Sequence, residues 1–288
     1  MTRKTIVITG GTGLIGAALV QRLATEHEVH CVSRRPPPAR AAIWHALDLA
    51  HACGFERLPQ RADAVIYLAQ SEYFRDFPAH SLNIYEVNTA NVLRMLEYAR
   101  QAGVKNFVYG SSGGINAVDK TKANENVEIP AVGDIGFYLS TKLCSEILAQ
   151  NYAAFFKVAI LRYFFVYGRG QRHGMLIPRL VQRVRAGEPI VLHGRDGIRI
   201  NPVHVADAAE ATRCALSLDV SMAINIAGPQ VLSLRQIGEI IGAAVGRAPV
   251  FTVEDDKEPQ DLIGDTTGMR EHLTAPQIHF ADGIKSLL

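Results

Sequence analysis

Thr5-Ile6-Val7-Ile8-Thr9 runs directly into Gly10-Gly11-Thr12-Gly13-Leu14-Ile15-Gly16, and this stretch decides the fold. A β-branched run bounded by glycines reads as a buried strand, and Leu14 to Ala24 has the apolar spacing of a helix. The glycines therefore lie in a strand-to-helix turn. Gly10 permits a tight turn, Gly13 lets the backbone approach an anion, and Gly16 allows close packing of helix on strand. The backbone N–H groups around Leu14 and Ile15, with the positive helix end, then face a phosphate.

Outward from that turn, strand-like runs alternate with helical ones. Glu28–Val32, Ala64–Leu68, Asn106–Tyr109 and Val158–Leu161 read as strands, and Leu82–Gln101 and Phe137–Phe155 as helices. Such alternation implies right-handed crossovers and a doubly wound parallel sheet, an α/β fold of the Rossmann type. After Gly168 the pattern shortens. Pro178–Ala186, Ala206–Leu216 and Leu234–Val245 read as helices, with strands at Ile190–Leu192 and Ala223–Ile226. The expected organisation is a dinucleotide-binding domain over residues 1–168 and a smaller C-terminal α/β substrate lobe over 169–288, interleaved with the first rather than linker-separated.

Composition narrows the function classes. The 288 residues are 48% hydrophobic and 20% charged, ordinary for a globular protein, and a net charge of +2 gives no reason to expect nucleic acid or an anionic membrane as partner. Cys31, Cys53, Cys144 and Cys214 are scattered, without a CxxC pair or a His–Cys cluster, so neither a metal site nor a disulfide framework is expected. The first apolar run is too short for a signal-peptide core or a membrane span, which makes a cytoplasmic protein the expectation.

The end of the second strand commonly supplies an acid for the adenosine ribose 2′-hydroxyl. Here it reads Val32-Ser33-Arg34-Arg35. A hydroxyl plus guanidinium groups suits a 2′-phosphate, so the sequence favours NADP(H), with NAD(H) possible. Asp48-Leu49 is placed for an adenine contact, and Leu68-Ala69-Gln70 for passage beneath a ribose.

Tyr138-Leu139-Ser140-Thr141-Lys142 carries the reactive chemistry. Its phenol and ammonium are spaced to share one helix face. A phenol with an ordinary pKa of about 10 is a poor base at neutral pH. The sequence expectation is that the Lys142 cation makes Tyr138 more acidic, so that it exchanges a proton with a substrate oxygen while a nicotinamide exchanges hydride. Ser111 and Ser112, at the end of a preceding strand, deliver hydroxyls to the same place.

The Thr9–Gly16 turn, the Asp63–Gln70 strand, Asn88, Val108–Ser112, Tyr138–Lys142, Leu161–Gly170 and Asn201–Ala211 together resemble the extended short-chain dehydrogenase/reductases, of the NAD-dependent epimerase/dehydratase kind that acts on nucleotide sugars. The resemblance spans nearly the whole chain. It implies Ser112 as the hydroxyl on the reacting oxygen, Tyr138 as acid/base and Lys142 as its activator and a ribose ligand. It implies Asn88 as a structural or water-relay residue, and Tyr163 to Val166 as the loop beside the nicotinamide amide. It also implies a homodimer through the Leu82–Gln101 and Phe137–Phe155 helices.

Departures from the family pattern bear on the substrate. Gly113-Gly114 stands where sugar 4,6-dehydratases carry an acidic pair, which argues against that reaction. Phe165 replaces an asparagine that contacts the sugar-nucleotide phosphates, and Ile115-Asn116-Ala117 replaces valine-tyrosine-glycine. Arg199 is one residue out of the usual phosphate-arginine register, with Arg270 or Arg195 to substitute for a second. The reaction expected is reduction of a 4-keto group of, or epimerisation at C4 in, a nucleotide-activated sugar. The alternatives are a reductase of a non-nucleotide ketone or aldehyde, and a non-catalytic NADP(H)-sensing regulator.

Overall fold

In the computed structural model, residues 2–51, 54–116, 135–254 and 258–288 are described. Cys53 and Ala117 lie outside them. In chain order the regular elements are β1 (Thr5–Thr9), α1 (Leu14–Leu23), β2 (Glu28–Ser33), β3 (Ile43–Ala46), β4 (Ala64–Tyr67), α2 (Ser81–Tyr85), α3 (Asn91–Gln101), β5 (Asn106–Ser112), α4 (Gly136–Asn151) and β6 (Lys157–Tyr163). There follow α5 (Leu176–Ala186), β7 (Pro189–His193), β8 (Arg199–Ile200), α6 (Val205–Cys214), β9 (Met222–Ile226), β10 (Leu232–Ser233), α7 (Leu234–Val245), β11 (Val250–Glu254), α8 (Thr267–His272) and α9 (Phe280–Gly283).

Seven strands form one sheet in the order β3-β2-β1-β4-β5-β6-β9. The β1–β2, β1–β4, β2–β3 and β4–β5 pairs are parallel, with Val7 opposite His30 on one side and Val65 on the other. Ile6, Val7, Ile8, Val65 and Ile66 are wholly buried because helices cover both faces, and so these strands read as unbroken apolar runs. The strand order reverses between β1 and β4. In a doubly wound sheet the crevice beyond the strand ends at that point takes the ligand.

The helix expected over Leu82–Gln101 contains a π-helical turn at Glu86–Ala90, which periodicity does not reveal. The wider turn has side-chain donors on its carbonyls: Tyr67 Oη donates to Val87 O at 2.7 Å, and Ser145 Oγ to Asn88 O at 2.6 Å. Four strands escaped the sequence reading: β3 and β11, both largely exposed and lacking a buried apolar face to mark them, and β8 and β10, two residues each and too short for any periodicity.

Two compact units emerge. The first holds the described residues of 1–115, 130–162 and 209–224, and the second holds those of 116–129, 163–208 and 225–288. The first is built on Val65, Tyr67, Leu96, Phe107, Tyr109 and Ile160. Its last segment, the end of α6 with most of β9, returns from far along the chain. In the second, α5 and α7 pack with Ile190 and Leu192 of β7 in a core that includes Ile177, Val184, Ile237 and Ile241. Helix α7 begins with a capping box between Ser233 and Gln236 and stops at Gly246, whose φ of +72° suits a left-handed cap.

Candidate functional site

The glycine turn has the geometry that the sequence demands. Gly10 has φ +71°, and a Cβ there would stand 2.7 Å from Ala69 N; one on Gly16 would stand 2.2 Å from Gly10 O. Side chains at these two positions would strike backbone, so only glycine lets the turn pack this closely against the 68–69 segment and the helix start. Gly13 N–H donates to Gly10 O at 2.9 Å, closing the turn, and Gly13 is the extended N-cap residue of α1. No side chain caps this helix end, so the first-turn amides, those of Leu14 and Ile15 among them, present their partial positive charge to the crevice. The cradle fits a pyrophosphate.

Around it, Leu68 N–H donates to Thr9 O at 3.3 Å and Ala69 N–H to Thr9 Oγ1 at 3.2 Å, which lays the 68–70 loop over the end of β1. Asp48 accepts Ala50 N–H at 3.0 Å, and Asn91 Nδ2 donates to Leu49 O at 2.9 Å, fixing the loop expected to meet adenine. At the end of β2, Ser33 Oγ donates to Arg35 O at 2.6 Å. Arg34, expected to meet a 2′-phosphate, is instead ion-paired with Glu72 at 2.6 Å.

Helix α4 carries Tyr138, Lys142 and Glu146 at successive four-residue steps, hence on one face. Tyr138 is half-buried; its Oη donates to Gln70 Oε1 at 2.9 Å and its ring lies 5.0 Å from that of Phe74. Burial pushes the phenol up to about 12, opposed by a hydrogen bond with Ser112 and by the Arg75 cation. Desolvation outweighs these two attractions, and the cation acting on the phenol in this geometry is Arg75. Lys142 is buried, donates from Nζ to Gly110 O at 2.8 Å and lies 5.2 Å from the Tyr109 ring centroid. Burial pushes its pKa down to about 8, with Glu146 pulling it up.

A polar network lies behind these groups. Arg162, on β6, donates from Nε to Glu146 Oε1 at 3.0 Å and from Nη2 to Glu146 Oε2 at 2.6 Å, with both residues buried. Ser111 Oγ donates to the same carboxylate. Its hydroxyl therefore serves Glu146 rather than the substrate contact expected for it. Ser112 accepts Gly114 N–H at 3.3 Å and remains on the Tyr138 side, while Gly113 is buried beside it. Asn88, wholly buried, accepts Ser71 N–H at 3.0 Å and donates to Thr141 Oγ1 at 3.2 Å, tying the loop after β4 to α4.

The remaining expected residues belong to the second unit and are placed there on their own terms. Tyr163 ends β6, and Val166 O accepts from Gln171 Nε2 at 2.7 Å. Phe165 has φ +44°, a strained backbone for an aromatic residue, and packs against the small cluster of Phe164 and Ala227. Arg199 is ion-paired with Asp261 at 2.6 Å, and Arg270 Nε donates to Thr266 Oγ1 at 3.2 Å. The sequence reading missed Glu72, Glu146 and Arg162. Glu146 had a signal, its position one turn beyond Lys142, whereas Glu72 had none.

Residues 6–227 match the NAD dependent epimerase/dehydratase family. The chain belongs to it. Among relatives, the dTDP-4-dehydro-6-deoxy-D-allose reductase of Streptomyces bikiniensis is 27% identical over 85% of this chain and 82% of its own. A protein of Bacillus subtilis strain 168 named as an uncharacterized UDP-glucose epimerase, YtcB, is 22% identical over 97% of this chain and 95% of its own. Among solved structures, the UDP-glucuronic acid 4-epimerase of Bacillus cereus in complex with UDP-glucuronic acid and NAD superposes with a TM-score of 0.85 at 21% identity, covering 98% of this chain and 97% of that one. The fold is thus that of an epimerase/dehydratase enzyme. Among the described residues no helix is long and apolar enough to cross a membrane, and no group of three or more His, Cys, Asp or Glu side chains could hold a metal.

Proposed function

We propose that this enzyme acts on a nucleotide-activated sugar at C4, either reducing a 4-keto group or inverting the carbinol. The observation that carries this reading is the convergence of Tyr138, Ser112 and Lys142 beside the glycine cradle within one unit. A bound nicotinamide dinucleotide would supply hydride acceptance and donation. Gly10, Gly13 and Gly16 with the amides of α1 would hold its pyrophosphate, and Asp48, Leu49, Leu68, Ala69 and Gln70 would line its adenosine and ribose.

Tyr138 is the group that holds the moving proton. Its phenol is neutral at pH 7 and so carries the proton that a ketone oxygen takes up, while the hydrogen bond with Ser112 and the Arg75 cation favour the phenolate left behind. In the reverse direction, Ser112 and the charges of Lys142 and Arg75 would have to favour the phenolate. The relatives that reduce dTDP-sugars or epimerise UDP-sugars support the substrate class. Gly113-Gly114 supplies no acid for eliminating water, in keeping with reduction or epimerisation. The NADP(H) preference expected from Arg34 requires a 2′-phosphate to compete with Glu72 for its guanidinium.

The proposal extends to a homodimer. Leu82, Tyr85, Leu93 and Ile147 are exposed apolar residues of the α2, α3 and α4 helices, and Phe155 is another just beyond the end of α4. Sedimentation at micromolar concentration should give the dimer mass; a monomer would remove this part.

The test of activity is incubation with UDP-, dTDP- and GDP-hexoses and their 4-keto forms, followed by NMR of the products. Turnover of at least one, with thermal stabilisation by its nucleoside diphosphate, is expected. Absence of both across the panel would overturn the nucleotide-sugar reading.

A further inference from the structure

The Arg34–Glu72 pair joins two loops, each anchored to the first unit. On the β2 side, Trp44 Nε1 donates to Ser33 O at 3.0 Å and Ser33 Oγ to Arg35 O at 2.6 Å, which fixes the backbone on either side of Arg34. On the β4 side, Ser71 N–H donates to Asn88 Oδ1 at 3.0 Å, Ser71 Oγ to Asn83 Oδ1 at 2.6 Å, and Tyr73 N–H to Ser71 Oγ at 3.2 Å. Glu72 is therefore presented by a pinned loop. The two loops follow the strands on either side of β1, at the point where the strand order reverses. Asp48 is near enough to act on the same guanidinium.

We propose that Glu72 sets the dinucleotide preference toward NAD(H), supplying from a second loop the carboxylate that the end of β2 lacks and holding Arg34 in an ion pair. This rests on the dinucleotide reading of the glycine cradle. A ribose 2′-hydroxyl is a neutral donor and meets a carboxylate acceptor without repulsion. A 2′-phosphate brings close to two negative charges. To gain a bidentate contact with Arg34 it must displace Glu72, and the displaced carboxylate stays beside it. The half-exposed pair is weak in itself, so its influence comes from the acid that remains wherever Arg34 turns.

Calorimetric titration of the full chain with NAD+ and with NADP+, without sugar, tests this. The unsubstituted protein should bind NAD+ more tightly. Glu72→Gln should strengthen NADP+ by about tenfold or more, the scale of a gained charged hydrogen bond, and weaken NAD+ by about threefold or more as the charged acceptor of the 2′-hydroxyl becomes a neutral one. Adding Arg34→Ala to Glu72→Gln should erase the gain. An NADP+ to NAD+ ratio unmoved by Glu72→Gln, or an unsubstituted protein that already prefers NADP+ tenfold, would overturn the inference. Failure of both dinucleotides to bind the unsubstituted protein would overturn the cradle reading itself, and this inference with it.

Discussion

Two guanidinium–carboxylate pairs of the same length, 2.6 Å, occupy opposite environments in the first unit. Arg162–Glu146 is sealed behind the Tyr138 helix, and Arg34–Glu72 lies half-exposed at the rim of the dinucleotide crevice. In the sealed pair, each charge exists only because the other is present; removing one leaves an ion in a medium that cannot solvate it. In the rim pair, water compensates for most of what is lost. The same contact is thus a fixture in one place and an adjustable element of specificity in the other. Burial, rather than distance, makes the difference.

The widest separation of the two regions should come from Tyr138→Phe, which keeps the ring against Phe74 and removes only the proton-bearing oxygen. Turnover should fall by roughly 10²–10⁴, the usual contribution of a positioned acid or base, with the unfolding midpoint little changed. Steady-state kinetics beside a melting curve measures both. Unchanged turnover would take Tyr138 out of the chemistry and leave the buried region purely structural.

Next is Glu146→Ala, which strands the Arg162 guanidinium. Urea unfolding should show a loss of about 3–5 kcal/mol. Replacing the pair together, Glu146→Gln with Arg162→Met, should recover most of it. A loss below ~1 kcal/mol for Glu146→Ala would mean that the pair is wetter than its burial indicates, and the contrast with the rim would collapse.

A smaller effect is expected from pH. Lys142 has its folded pKa lowered from 10.5 to about 8 by burial. Between these values the unfolded chain holds more protons than the folded one, so stability rises with pH through this window. Buried tyrosines and cysteines with raised pKa values oppose the trend at higher pH, so the comparison is best made against Lys142→Met between pH 8 and 9. The unsubstituted protein should gain about 1 kcal/mol relative to the variant across that unit. Parallel pH curves would show that the ammonium finds more solvation than its surroundings suggest.

The smallest effect belongs to the rim. Glu72→Gln should alter unfolding stability by less than ~1 kcal/mol, whatever it does to cofactor choice. A loss comparable to that of Glu146→Ala would mark the pair as structural and erase the distinction.

Much of this was legible in the chain alone. Thr5 to Gly16 fixed the strand–turn–helix unit, because a run of β-branched residues followed by glycines at this spacing has few other packed solutions. The helix bearing Tyr138 and Lys142 was equally readable, since four-residue spacing is a local property. The α7 helix has the expected bounds, Leu234–Val245. The π turn at Glu86–Ala90 was not readable, for its carbonyls are claimed by Tyr67 and Ser145 from elsewhere in the chain.

The sequence by itself determined the buried apolar strands, the phosphate turn and which helix presents the phenol, since each depends on residues a few positions apart. Tertiary structure alone decided the electrostatics. It brought Glu72 to Arg34 across 38 positions and Arg162 to Glu146 across 16, and it placed Lys142 and Tyr138 where desolvation outweighs the attractions acting on each. Charge–charge energies depend on distance and on surrounding water, and neither quantity is written in the spacing of residues along a chain.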